Sequence, residues 1–582
     1  MAAPDPTPPI PHADARYSPR PDSFARLANC DNLPQNNPTG GNALSATYQL
    51  LIGTLLSTPL ANTPDQEIIH ADVMRYTYRG LRERIGRLGS ALARIGVTQG
   101  SVEAVLDYDS HRYLEAFFGV PMLGAVLHTV NVRLSPEQVL YTINHAQDDV
   151  ILVHRDFVPM LAQIAGRITR PVRIVLLQDQ PGEDPGEPEV AGLKFAGEYE
   201  AMLAAADAGH RFPSFDENTR ATLFYTTGTT GDPKGVTYSH RQLVLHTLGG
   251  IATLGPTPGM GGLHRADVYM PLTPLFHVHG WGKPYAATLL GLKQIYPGKY
   301  EPAKLLGLIA KHGVTFSHCV PTILNMLLNA PESAAVDLSR WKVIIGGAAF
   351  PAGPAQAALA RGIYVHSGYG MSETCPLLTI SDIVAAQAGG DTVAVRIATG
   401  KAVPLVELAI LDEAGRALPW DGVASGEIVA RAPWLTGGYL RDPAGTAALW
   451  QDGWLHTGDI GAIDAGGTLW IGDRLKDVIK SGGEWISSLA LESIASRVAG
   501  VTEVAAIGLP DAKWGERPCL LVVARDGAGD VKAAVGAAIA AAIAAGQLSK
   551  WANPGRIDLV ASLPKTSVGK LDKKLMRAQV AG

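Results

Sequence analysis

The sequence predicts an α/β protein with an α+β tail: a large N-terminal domain of mainly parallel sheets layered with helices, a β-barrel-like subdomain, and a small C-terminal α+β domain. Three observations carry this. From about Thr77 to Leu324 short apolar runs alternate with helical patterns, the rhythm of βαβ units. After Gly400 that rhythm gives way to short strands around Gly-containing turns. Beyond Lys476 helices and strands return over roughly a hundred residues, the size of a separate small domain.

Taken in order, the chain starts with a Pro- and Ala-rich extension over 1–44 that lacks the apolar core of a secretory signal. The large domain is expected over 45–475. In it "EAVLDYDS" reads as a strand before the helix "YLEAFFGVPMLGAV", "DVILVHR" as a strand before "FVPMLAQIAG", and "RIVLLQ" as the next strand. In the β subdomain, expected over 400–473, "VELAILDEAGRALP" reads as two strands around a turn, with "GEIVARAP" and "GTLWIGDR" as further strands. The small domain, expected over 476–582, runs from the helix "LALESIASRV" through the strands "EVAAIGL" and "CLLVVARD". An Ala-rich helix, "VKAAVGAAIAAAIAAG", and a strand–loop–helix end, "IDLVASLPKTSVGKLDKKL", follow.

Composition narrows the function. A chain of 582 residues is too long for one core. Its net charge of −5 offers no basic field for nucleic acid or anionic membrane, and no segment has about 18 uninterrupted apolar residues. The four cysteines, Cys30, Cys319, Cys375 and Cys519, are far apart with no C-x-x-C pair. That favours reduced thiols and a cytoplasmic location.

One loop stands out. "YTTGTTGDPKG", Tyr225–Gly235, concentrates Thr, Gly and a Lys directly after the apolar strand "ATLF". Glycines let backbone amides converge on an anion, while Thr hydroxyls and Lys add donors and charge. A Walker loop would place Ser or Thr after the Lys; here Lys234 is followed by Gly235 and Val236, so that reading fails on spacing.

The string resembles the phosphate loop of the adenylate-forming enzymes: acyl- and aryl-CoA ligases, peptide-synthetase adenylation domains and luciferases. The resemblance runs in order from about residue 45 to the end. It implies ATP phosphates held by Thr226, Thr227, Gly228, Thr229, Thr230 and Lys234. In "HSGYGMSETCP" it implies an adenine site built from Gly368, Tyr369, Gly370, Met371 and Ser372, where Ser372 stands for the usual Thr and keeps its hydroxyl. Gly347, Ala348 and Ala349 of "IIGGAAF" would lie beside the base, and Glu373 with Thr226 would hold Mg2+, which prefers hard oxygens. Asp459 of "WLHTGDI" and Arg474 of "GDRLKDVIKSGGEWIS" match the residues that reach the ribose. Lys476 matches the hinge about which the small domain moves between two half-reactions.

The family's catalytic lysine corresponds to Lys570 of "LPKTSVGK", which implies a bridge between the substrate carboxylate and the α-phosphate. Lys565, without a preceding Gly, is read as structural. Gly482, Gly483 and Trp485 fall where the pantetheine of CoA would pass. His277, the first His of "PLFHVHGWGKPY", resembles the residue bordering the acyl pocket, and is therefore a candidate catalytic-site wall. His277 and His279 alternate as on a strand, sharing a face without closing a metal site. Trp281 and Trp434 match aromatic positions of ligases for medium-chain fatty acids and for 3-methylthiopropionate, and Gly346 would join them in lining the acyl pocket. The resemblance thus implies an ATP- and CoA-dependent ligase for a short or medium acid, acting on small molecules. Loading of a carrier-protein thiol and a non-catalytic acyl-nucleotide sensor stay open at this point, as does a homodimer.

Overall fold

The computed structural model describes residues 48–179, 189–190, 192–226, 232–257, 261–382, 384–385, 393–474, 477–481, 484–566 and 570–581. Among these the strands form four sheets. The extension at 1–44, Thr227–Thr230, Lys476, Gly482 and Gly483 lie outside the described residues, as does the side chain of Trp485.

The first sheet has eight strands, with Val102–Leu106 near its centre. On one side stand Val126–Thr129, Arg220–Thr226 and then Lys234–Ser239; on the other stand Val150–His154, Arg173–Leu177 and Leu193–Glu198. All these pairs are parallel except the edge pair Arg220–Thr226 with Lys234–Ser239. Val150–His154 is buried along its whole length, as a strand covered on both faces must be. The helix His111–Met122 covers this sheet, and eleven of its twelve residues are buried. Ser110 caps it by accepting from the Tyr113 amide.

The second sheet has nine strands and a parallel centre. Lys342–Ile345 runs parallel to both Phe316–Cys319 and Tyr364–Gly370, so the "IIGG" and "YG" motifs leave the sheet side by side. The third is a five-stranded antiparallel sheet in which Trp454–Ile463 pairs with Gly426–Arg431 and with Leu469–Arg474. Only half of the expected "VELAILDEAGRALP" hairpin is a full strand, Glu407–Leu411. Its return is a single bridge from Leu411 to Ala417, because the Asp412 carboxylate collects the amides of Ala414 and Arg416 into a turn. The fourth sheet, also of five strands, pairs Val501–Asp511 with Gly515–Ala524, on which Arg556–Leu559 adds in parallel. The helices Ser488–Ala495 and Val531–Ala544 pack on it.

One buried charge network ties the first layer together. Arg84 spans Glu115 at 2.7 Å and Glu200 at 2.7 Å, and Tyr199 donates to Glu115 at 2.7 Å. The Glu115 side chain is wholly buried, so its charge depends on these partners. Arg84→Met is expected to cost about 3–5 kcal/mol, because it strands a buried carboxylate. Chemical denaturation measures this; a loss under about 1 kcal/mol would show the network to be dispensable.

The last two sheets meet the larger ones at close backbone approaches. A methyl group at Gly353 would lie 2.4 Å from the Ser496 carbonyl, so only glycine allows the helix Ala352–Ala360 to touch the end of Ser488–Ala495. Asn325 reaches the Thr502 carbonyl beside it at 3.4 Å.

Candidate active site

The site forms where the C-terminal ends of the parallel strands open toward the C-terminal domain, a cleft of about 1810 Å³. Open α/β sheets bind ligands at such ends. Thr226, Lys234, His277, Gly347, Glu373, Asp459, Arg474 and Lys570 all line it.

The strands that flank the Thr-rich loop pair antiparallel. Thr226 pairs in register with Lys234 across the edge strands, which brings the loop's first hydroxyl beside its lysine. The helix His240–Leu254 then starts on a capping box of Ser239 and Gln242, so hairpin and helix are one rigid unit. The Lys234 ammonium rests 4.5 Å from the centre of the Tyr439 ring and 3.8 Å from Asp442.

Glu373 sits in a short turn, Ser372–Thr374, and is buried. Burial raises its carboxyl above the usual range, and a hydrogen bond from the Tyr439 hydroxyl, at 2.7 Å, works the other way. Tyr439 therefore braces both Lys234 and Glu373. Sequence reasoning missed it; the only signal was an aromatic residue after the Gly-Gly of "WLTGGY".

On the opposite wall, Tyr369 donates to Asp459 at 2.8 Å, and Arg474 contacts the other oxygen of Asp459 at 3.3 Å. The pairing is built in, because Asp459 and Arg474 face each other in register across antiparallel strands. Burial and then the Asp459 charge push the Tyr369 phenol well up, so it stays a donor. Gly368 and Gly370 allow the strand to pass close to its neighbours: a methyl group at Gly370 would collide with the Pro376 carbonyl, and one at Gly368 would lie 3.2 Å from Ile344. Met371 and Ser372 continue the cleft wall. Gly347 takes a φ of +76°, a conformation that favours glycine, and leaves Ala348 and Ala349 exposed to the cleft.

Lys570 comes from the far end of the chain. Its loop is closed by the Thr566 amide on the Lys570 carbonyl at 2.7 Å, and by a bridge between Lys565 and Leu571. Lys565 itself is ion-paired with Glu503 at 2.7 Å. The Lys570 side chain enters the cleft far enough that a methyl group at Gly347 would meet its Cε at 3.3 Å.

Below Gly347 lies a second, small cavity of about 40 Å³, lined by His277, Trp281, Lys283, Gly346, Met371 and Lys570 among others. The Trp281 ring lies under Gly346, where a methyl group would be 3.1 Å away. His277 and His279 do not share a face of a strand. From Val278 to Gly282 every φ is positive, between 48° and 66°, so the chain makes a left-handed turn. Gly280 and Gly282 accept this freely, whereas Val278, His279 and Trp281 are held there against an intrinsic cost of about 1–3 kcal/mol each. His277 consequently faces the cleft, while His279 is buried among the rings of Phe117, Phe224 and Tyr238. Burial first, then the charges of Lys570 and Arg133, lower the His277 imidazole well below its ordinary range. Trp434 does not line this cavity: its ring packs one layer behind, against His246 and Gly249, because Gly249 leaves the space that the indole fills.

Comparison with known proteins agrees with this geometry. Residues 56–440 match the AMP-binding enzyme family, and residues 490–570 match the AMP-binding enzyme C-terminal domain. The chain is 38% identical to a long-chain-fatty-acid–CoA ligase of Thermus thermophilus, over 87% of this chain and 91% of that one. It is 38% identical to a 3-methylmercaptopropionyl-CoA ligase of Ruegeria pomeroyi, over 86% and 91%. The crystal structure of ATP-bound MatB from Rhodopseudomonas palustris superposes with a TM-score of 0.76 at 26% identity, covering 92% of this chain and 99% of that one.

Proposed function

This chain belongs to the AMP-binding enzyme family, and on that premise we propose that it is an AMP-forming acid–thiol ligase for short to medium carboxylic acids. A carboxylate resists attack by a thiol, because its charge repels nucleophiles and oxide is a poor leaving group. The remedy is a mixed anhydride. The acid's oxygen attacks the α-phosphorus of ATP, pyrophosphate leaves, and the sulfur of CoA then attacks the acyl carbon as AMP departs.

The chain's own residues divide this work. Thr226 and Lys234, with Thr227–Thr230 between them, bind the departing phosphates. Tyr369 faces the adenine beside Gly347, Ala348 and Ala349. Asp459 and Arg474 hold the ribose, whose diol exchanges with the Tyr369 hydroxyl on Asp459. Lys570 bridges the attacking carboxylate and the α-phosphate, where charge builds in the transition state. His277 and Trp281 close the acyl side, and a neutral His277 adds no second cation next to Lys570. Glu373 and Thr226 offer hard oxygens that fit Mg2+, with Glu373 already steadied by Tyr439. That ion would neutralise phosphate charge. Lys476 would serve as the hinge that swings Lys570 away, bringing Gly482, Gly483 and Trp485 to the pantetheine.

The observation that supports this reading most directly is the approach of Lys570 to Gly347, at the junction of the nucleotide cleft and the small acyl cavity. The test is pyrophosphate release with ATP and a panel of acids from acetate to decanoate, with and without CoA. Acid-dependent release and a CoA ester are expected. Release without an ester points instead to a carrier-protein thiol as acceptor, and no release with any acid points to a sensor.

The brace on Glu373 makes a further prediction. Tyr439→Phe removes one hydrogen bond to a carboxylate, worth about 1.5–3 kcal/mol. Adenylation is expected to slow at least tenfold, with a raised Mg2+ requirement, measured by titrating Mg2+ in the pyrophosphate assay. An unchanged Mg2+ dependence would deny Tyr439 this part.

A further inference from the structure

The acyl cavity has a floor that an apolar acid does not explain. Lys283 lines it, at the first position of the helix Lys283–Leu290, and the residue is only 5% exposed. Its ammonium lies beside Gly250 of the helix His240–Leu254, where a methyl group would be 3.7 Å away, an ordinary contact. Among the described residues no carboxylate pairs with it and no hydrogen bond reaches it. Burial lowers its pKa to about 8, which leaves it mostly protonated at neutral pH.

Among the described residues no carboxylate offsets it; the neighbour that favours its charge is the Cys375 thiol, which burial holds protonated. Burial first, and then the Lys283 charge, lower the His246 and His318 imidazoles well below their ordinary range. Both ring nitrogens of His246 and Nδ1 of His318 lack a hydrogen-bond partner among the described residues. The Trp281 ring lies tilted beside His318, with ring centres 5.2 Å apart. A buried cation and unmet imidazole nitrogens are costly unless something completes them. An apolar acyl tail would leave every one of them unmet.

We infer that the acid this site activates is a short dicarboxylate, whose reacting carboxylate meets Lys570 and whose second carboxylate pairs with Lys283 at the cavity floor. This deepens the ligase reading and rests on it. Lysines at both ends of so small a cavity fit a molecule with an anion at each end, and they select against a monocarboxylate of equal length by leaving Lys283 unpaired.

The test compares malonate and succinate with propionate, butyrate and 4-oxopentanoate in the pyrophosphate and CoA-ester assays, using the full chain. The dicarboxylates are expected to be favoured at least tenfold in kcat/KM. Lys283→Met should lower dicarboxylate kcat/KM about a hundredfold while butyrate is held or improved. Lys283→Arg should retain part of the dicarboxylate preference. The wild-type panel stands without the variants, so a misfolded variant does not rescue the inference. A wild-type preference for butyrate, or for the uncharged acceptor of 4-oxopentanoate, overturns it while leaving the ligase reading intact. No pyrophosphate release with any acid overturns both.

Discussion

Replacing Lys570 with alanine is expected to slow acyl-adenylate formation by about a hundred- to a thousandfold, the usual loss when one donor to a developing charge is removed. Thioester formation from a supplied acyl-adenylate and CoA is expected to stay within a few-fold of wild type. The contrast follows from position. Lys570 reaches Gly347 only because its loop is folded onto the cleft, closed by Thr566 and by the Lys565–Leu571 bridge. The C-terminal domain also meets the larger one at Gly353, Asn325, Gly472 and Asp473, contacts that do not involve the lysine. Removing the side chain therefore deletes a charge and leaves these contacts in place. Pyrophosphate exchange measures the first half-reaction, and ester formation from synthetic acyl-adenylate measures the second. Equal losses in both would mean that Lys570 serves the fold or CoA instead.

Asp459→Ala is expected to raise the KM for ATP by about a hundredfold or more, with a smaller change in kcat. Hydrogen bonds to a carboxylate contribute roughly 1.5–3 kcal/mol each, and a vicinal diol makes two. The Asp459 side chain is 9% exposed and already oriented by Tyr369 and Arg474, so little ordering remains to be done on binding. The substitution also leaves Arg474 without this partner and the Tyr369 hydroxyl without its acceptor. Asp459→Asn separates these effects, since it keeps one acceptor and loses the charge. Titration calorimetry with a non-hydrolysable ATP analogue reads the affinity directly. An unchanged affinity would remove Asp459 from the nucleotide site.

Much of the fold was legible because its signals are local. Strands such as Val150–His154 are continuous apolar runs, and helices such as Ser488–Ala495 follow a serine cap. The phosphate hairpin could be read from its glycines and hydroxyls, for those residues have few other uses at that density. The half-formed hairpin after Leu411 was over-read, because alternating residues around a glycine look like two strands whether or not the second finds a partner.

The alternation of apolar and helical patterns along the sequence determined the fold class, and short motifs, each within a dozen neighbouring residues, carried the resemblance that pointed to the family and to the side chains expected at the nucleotide. Only the folded chain decided what those groups meet. It turned His279 away from His277 through a left-handed turn, moved Trp434 behind the cavity, put Tyr439 on Glu373 and drew Lys570 to Gly347. It also left Lys283 buried with no carboxylate partner among the described residues. The physical reason is common to all five: each is a contact or a burial set by elements distant in sequence, and no local pattern records which distant surface a side chain will face.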